Sequence, residues 1–204
     1  PTSSPEEVMS EHTHDLLVVG AGPAGAATAY WAATNGLDTI VVERKTFPRE
    51  KTCGDGLTPR AVHQLAEMGL GGELDNYHRY DGLRAIAHGR TIEMAWPEHD
   101  LYPSHGYVVR RCDLDTFVVQ RAIEAGAELH QSTEAVRPLA ADGPGIAGAL
   151  VVDRDTGTEH EIRARYVAVA DGANSRFGRM LGTARNREFP MGMAIPVSYT
   201  HLTL

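Results

Sequence analysis

Apolar positions fall into short, glycine-bounded runs. From Asp15 the chain reads Leu-Leu-Val-Val before Gly20-Ala-Gly-Pro-Ala-Gly25. Four apolar residues ending in glycine predict a short buried strand that runs into a tight turn. The Ala-rich stretch Ala24 to Ala33 predicts a helix stopped at Asn35-Gly36, and Thr39-Ile-Val-Val-Glu43 a second strand. Together these form a β-α-β unit. Pro1 to His14 is polar and acidic, too poor in apolar surface to offset its ordering entropy, and is expected to be a disordered tail.

Further on, Thr58-Pro59 predicts a helix start, with Val62, Leu65 and Ala66 inward and Gly69 as its end. Leu83 to His88 and Thr91 to Trp96 alternate as strands do. Asp113 predicts the N-cap of a helix that buries Leu114, Phe117, Val118 and Ala122 and ends at Gly126. Four short strands follow, at Glu128–His130, Glu134–Leu139, Ile146–Val152 and Glu159–Arg163, broken by Gly/Asp turns. Tyr166-Val-Ala-Val-Ala170 predicts a strand buried on both faces that ends at Asp171-Gly172.

The Gly-x-Gly-x-x-Gly turn carries candidate chemistry. Gly20 permits the sharp turn, Gly22 the approach of backbone to a pyrophosphate, and Gly25 close packing of helix on sheet. Pro23 pre-sets the first helical turn, whose positive end faces the phosphates, with Ala24 beside it. Glu43 lies 18 residues beyond Gly25, near the offset at which an acid reaches a ribose hydroxyl. Ligands of open α/β sheets lie beyond the carboxyl ends of strands, which brings Asp171 toward the same crevice; an Asx turn is the alternative reading of Asp171-Gly172.

Composition narrows the classes. With 204 residues the chain can bury a real core, and its net charge of −8 argues against a nucleic-acid partner held through phosphates. Residues 16 to 37 lack charge, yet Gly20, Gly22, Pro23 and Gly25 interrupt them, so the fingerprint explains the run better than a membrane span. No Lys or Arg precedes Arg44, so a secretory leader is not indicated and a cytoplasmic protein is expected. Cys53 and Cys112 form neither a disulfide framework nor a zinc site, and the ten histidines show no ligand pairing on a helix face; no metal site is expected.

The order of these pieces resembles the flavoprotein group that includes para-hydroxybenzoate hydroxylase and the geranylgeranyl reductases: fingerprint, acidic second-strand end, Arg-x-x-Leu-Asp at Arg111 to Asp115, then Ala170-Asp-Gly-Ala-Asn-Ser-Arg176. Lys51-Thr-Cys-Gly-Asp-Gly-Leu-Thr-Pro-Arg60 is most similar to the geranylgeranyl reductases, among them the menaquinone reductases of actinobacteria. The resemblance implies an α/β fold: a Rossmann-like FAD-binding domain with a parallel central sheet and a β-meander, plus the first strands of a truncated substrate domain. It implies FAD on Gly20, Gly22, Pro23, Ala24 and Gly25, with Glu43 at the adenosine ribose and Arg44 among the cofactor-binding residues. Arg111 would meet the pyrophosphate, with Arg110 competing for that role, and Asp171 and Gly172 would help hold the nucleotide. Cys53 and Gly54 would lie beside the flavin, Cys53 as a candidate catalytic thiol or as a small buried residue.

The implied activity is FAD-dependent saturation of double bonds in an isoprenoid chain, a geranylgeranyl group or a menaquinone side chain. An aromatic monooxygenase and an inactive FAD-binding fragment are the alternatives. Substrate would be an isoprenoid lipid or a quinone, with an external electron donor and peripheral contact with the inner face of the membrane. Domain expectations are a tail over 1–14, the FAD domain over 15–185 with about 71–106 partly in the substrate domain, and the start of that domain over 186–204. The ending Pro196 to Leu204 resembles translated adaptor sequence and is expected to carry no function.

Overall fold

The structure, a computed structural model, describes residues 12–51 and 53–183 together with Glu188. In chain order the elements are β1 (Thr13–Val19), α1 (Pro23–Thr34), β2 (Thr39–Val42), β3 (Gly56–Leu57), α2 (Pro59–Glu67) and α3 (Gly71–Leu74). There follow β4 (His78–Tyr80), β5 (Gly82–Ala87), β6 (Arg90–Ala95), β7 (Gly106–Val108) and α4 (Arg111–Glu124). The chain closes with β8 (Glu128–His130), β9 (Thr133–Ala140), β10 (Ile146–Asp153), β11 (Glu159–Val169) and α5 (Arg176–Met180). The chain divides into two compact units, one of Pro1–Thr46 with Ala122–Ala184, the other of Phe47–Arg121 with Arg185–Leu204. Apart from Glu188, the expected start of a substrate domain over 186–204 lies outside the described residues.

The first unit holds a six-stranded sheet in the order β8-β2-β1-β11-β10-β9. β8, β2, β1 and β11 run parallel, whereas β9, β10 and β11 form an antiparallel meander. Its core is built by Leu17 and Val19 of β1, Ile40 and Val42 of β2, Ala149 and Val151 of β10, Ile162 and Ala164 of β11, and Phe177 of α5. Burying one such side chain contributes roughly 1.5–3 kcal/mol, so this cluster fixes the strand order and the end of β1 from which Gly20 departs.

Three expectations are corrected. The strand starts at Thr13, so Thr13 and His14 belong to β1 and not to a tail. The two strands expected over Glu159–Arg163 and Tyr166–Ala170 are one, because Arg163 and Arg165 are accommodated within β11, where they pair with Glu161 and Asp15 at 3.0 Å each. Nor is that strand's end buried on both faces: Tyr166 is 67% exposed.

In the second unit β3, β7 and β4 form one small sheet and β5 and β6 a separate hairpin. Leu57, Val62, Leu65, Met68, Leu74 and Val109 are buried, whereas Leu83, Ile86, Ile92 and Met94 of the hairpin are exposed. α2 begins after Thr58 with Pro59 at its first turn, as expected, but the Thr58 side chain makes no capping bond. α4 begins at Arg111, two residues before the expected cap, because the Asp113 carboxylate is turned to the Arg110 guanidinium, 2.9 Å from its Nε. No helix among the described residues is long and apolar enough to cross a membrane.

The β10–β11 turn gives a pH prediction. Asp153 Oδ1 accepts from the amides of Asp155 and Thr156 at 2.9 and 2.8 Å. The Thr156 and Asp155 amides hold this carboxyl below its ordinary value of 3.8. A depressed folded value means that its stabilisation is complete above the ordinary value and is lost as pH falls through the folded one. In urea unfolding followed from about pH 6 to about pH 2, the midpoint of Asp153→Ala should therefore fall less steeply than the parent's. Parallel acid limbs would contradict this.

Candidate functional site

At the carboxyl end of β1 the chain packs closely against itself. Gly20 has φ +97°, and a Cβ built there would lie 2.6 Å from the Ala170 carbonyl oxygen. A Cβ on Gly25 would lie 1.8 Å from the Gly20 carbonyl oxygen, in a space that no side chain can enter. Gly22 is the N-cap of α1 in an extended conformation, φ −68° and ψ 179°, with Pro23 in the first turn. Ala26 N donates back to Gly22 O at 2.8 Å and closes the first helical turn. The amides before Ala26 have no intrahelical acceptor and form the positive end of a 12-residue helix, a natural anion site.

Glu43 follows β2 directly and is buried. Its Oε2 accepts from Ala21 N at 3.0 Å and its Oε1 from Lys45 N at 3.1 Å, so the carboxylate is clamped beside the glycine turn. Each carboxylate oxygen accepts more than one bond, which suits a pair of ribose hydroxyls. Arg44 is exposed.

Asp171 leaves β11, where Ala170 N donates to Val19 O at 2.8 Å and joins the ends of β11 and β1. Its Oδ2 accepts from Arg176 N and Phe177 N at 2.8 and 3.1 Å, holding the start of α5. This reaches farther than the Asx turn read as the alternative. Oδ1 is buried and has no hydrogen-bond partner among the described residues. Gly172, φ +97°, has open space where a side chain would stand. An orphaned acceptor, a glycine cradle, a helix start and a clamped acid are what the adenosine and pyrophosphate portions of FAD require, so these residues fit the cofactor.

The second unit contains the other motif residues. Asp115 is fully buried; its Oδ1 and Oδ2 accept from Arg111 Nε and Nη2 at 2.9 and 3.0 Å, and Arg49 Nη2 lies 3.2 Å from Oδ2. Asp115 raises Arg111 above its ordinary value against the effect of burial, with a hydrogen-bonding contribution from Cys53. Asp55 accepts twice from the entry to α4: its backbone O from Val109 N at 2.8 Å and its Oδ1 from Arg111 N at 3.3 Å. The Cys53-Gly54-Asp55-Gly56 segment and the Arg111–Asp115 segment are therefore one constellation. Arg110 is 76% exposed and paired with Asp113. Cys53 and Gly54 are exposed. Cys112 is half-buried, and its thiol is pushed up by burial and then by Asp113.

Sequence reasoning missed the pairing of Arg49 with Asp115, the contacts of Asp55 and the depth of Asp115. The four-residue Arg111–Asp115 spacing on a helix was the available signal for one pair. Nothing local marks Arg49, which reaches Asp115 from a loop.

A strand, a glycine turn, a helix and a second strand ending in a clamped acid define a dinucleotide-binding α/β protein. The chain matches the FAD binding domain family over residues 13–198 and belongs to it; its cofactor is FAD. It is 42% identical over 181 residues to the menaquinone reductase of Mycobacterium tuberculosis H37Rv, covering 89% of this chain and 43% of that protein. It is 36% identical over 172 residues to digeranylgeranylglycerophospholipid reductase 2 of Methanopyrus kandleri, covering 82% of this chain and 40% of that protein. Among solved structures it is similar to a geranylgeranyl bacteriochlorophyll reductase-like protein of Thermoplasma acidophilum, at TM-score 0.71 and 28% identity over 84% of this chain and 42% of that one. The chain thus spans under half the length of these relatives.

Proposed function

We propose that the protein is an FAD-dependent reductase that saturates a double bond in the isoprenoid chain of a lipid or quinone. The observation that carries this reading is the 42% identity to a menaquinone reductase over 89% of this chain, a span that includes the Cys53 segment. Halogenase likeness, at TM-score 0.76 and 25% identity, and hydroxylase likeness, at 0.72 and 24%, speak for the shared fold and do not favour a monooxygenase.

In this reading Gly20, Gly22, Pro23, Ala24 and Gly25 admit the pyrophosphate to the start of α1, and Glu43, with Arg44 next to it, accepts from the adenosine ribose. Asp171 offers its orphaned Oδ1 to the nucleotide, next to Gly172. Arg111 is oriented by Asp115, and a guanidinium has five donors, so donors remain for a phosphate oxygen. Reduced FAD, when bound, would supply hydride to one alkene carbon, and an acid would supply the proton for the other. Cys53 and Gly54 border the alkene, and the protein aligns that bond and excludes water. The second unit contributes residues 71–106 to the substrate domain, a reading supported by the exposed apolar side chains of β5 and β6. The electron donor is a separate partner, and the lipid substrate brings the protein into peripheral contact with the cytoplasmic face of a membrane.

Cys53→Ser tests the assignment in a chain extended to the length of its relatives. It should slow single-turnover alkene reduction about tenfold or more, equivalent to about 1.4 kcal/mol, while flavin content stays near the parent's. Unchanged turnover removes Cys53 from the alkene site. Loss of flavin together with turnover makes it a packing residue.

A further inference from the structure

At the end of the sheet opposite the glycine turn, two histidines and an aspartate converge. His12 immediately precedes β1 and His14 is its second residue; two residues apart in extended chain, their side chains emerge on one side. Asp38 immediately precedes β2, the neighbouring strand. His12 Nε2 lies 2.8 Å from Asp38 Oδ2, and His14 Nδ1 lies 3.0 Å from the same oxygen. The imidazole rings meet edge to face, 4.5 Å between centroids at 89°. His14 is 12% exposed at its side chain, and its buried Nδ1 makes no aligned hydrogen bond despite the short distance. All three ligand atoms lie within 4.8 Å of one another.

We propose that His12, His14 and Asp38 form a binding site for a divalent transition metal, of which Zn²⁺ is the reference case. Two imidazoles and one carboxylate suit Zn²⁺, Co²⁺ or Ni²⁺ and not the all-oxygen preference of Mg²⁺ or Ca²⁺. Ligand atoms bound tetrahedrally at about 2.1 Å stand about 3.4 Å apart, so shifts of under about 1 Å convert the present arrangement into a coordination shell. The misaligned Nδ1 of His14 is then explained: its lone pair serves a cation better than its N–H serves Asp38. The cluster opens on a cavity of about 460 Å³ lined also by His130, His160, Glu128 and Glu161, from which a further ligand or a water completes the shell. Arg163 lines the same cavity, and its charge is offset by Glu161 at 3.0 Å. The strand between the cluster and Gly20 is seven residues long, or about 20 Å, so this site is distinct from the nucleotide cradle and does not rest on the proposed reductase activity. Its effect is structural: a bound cation ties the entry of β1 to that of β2, where Asp38 N already donates to Asp15 Oδ2 at 3.1 Å.

The test is calorimetric titration of the whole, untagged chain with Zn²⁺, with Co²⁺ absorption to report the ligand geometry. One Zn²⁺ per chain should bind, the visible Co²⁺ bands should be those of a four- or five-coordinate site, and Tm should rise. Affinity should fall tenfold or more in His14→Ala, Asp38→Asn and the exposed His12→Ala. FAD content should not change. Because His12 is surface-exposed, its variant keeps the test valid if His14→Ala fails to fold. Absence of Zn²⁺ binding, or binding of equal strength in His12→Ala and Asp38→Asn, overturns the proposal.

Discussion

Gly25→Ala should leave the protein without detectable bound flavin and should destabilise the first unit. In an ordinary helix this exchange would stabilise by about 0.8–1 kcal/mol, since glycine is the poorer helix former. Here the new Cβ would lie 1.8 Å from the Gly20 carbonyl oxygen, a backbone atom that no rotamer change can move. Relief requires α1 to lift from the turn, which costs more than the roughly 1–3 kcal/mol of ordinary overpacking and dismantles the helix start that would meet the pyrophosphate. Flavin absorbance of the purified variant and its urea midpoint measure both effects together. Parental flavin content in Gly25→Ala would mean that the glycine turn is not the cradle.

The second large effect is expected in the other unit, from Asp115→Asn. Asp115 is fully buried, and the guanidinium side chains of Arg49 and Arg111 are only 11% and 13% exposed. Removing the charge of Asp115 leaves the largely desolvated Arg111 and Arg49 guanidiniums facing an amide at this position, and breaking a buried ion pair in this way costs about 3–5 kcal/mol. The loss should appear as a lower urea midpoint. Replacing all three residues at once, Arg49→Met with Arg111→Met and Asp115→Leu, should restore most of the stability, because a packed apolar set replaces the charges without a desolvation penalty. If Arg111 also serves the cofactor, that triple variant should regain stability without regaining flavin affinity. Recovery of both would confine the three charges to a structural role.

What the sequence made legible follows from how local each signal is. The β1–α1–β2 unit was readable because a short apolar run, three glycines and a strand-end acid all lie within about thirty residues of one another. The meander was readable from turn chemistry at Asp142–Gly145 and Asp153–Gly157. Arg163 and Arg165 misled, because charged residues in a strand read as a break unless the acids that receive them are visible, and Asp15 is far away in sequence. Asp113 misled in a similar way: its carboxylate suits a cap but pairs with Arg110 instead. The ion cluster at Asp115 depends on Arg49, which only the fold of the second unit brings to it. The histidine cluster at β1 escaped because ligand pairs were sought at helical spacing, whereas His12 and His14 share a side at strand spacing.

The central claim, isoprenoid reduction by FAD, is tested most directly by one anaerobic experiment. A chain of the length of its relatives, holding FAD reduced beforehand with dithionite, is mixed with a menaquinone bearing an unsaturated side chain, and the lipid is analysed by mass spectrometry. The account predicts that the flavin reoxidises without oxygen as the side chain gains two hydrogens and loses one double bond. Flavin that stays reduced until oxygen is admitted, with an unaltered side chain, would contradict it.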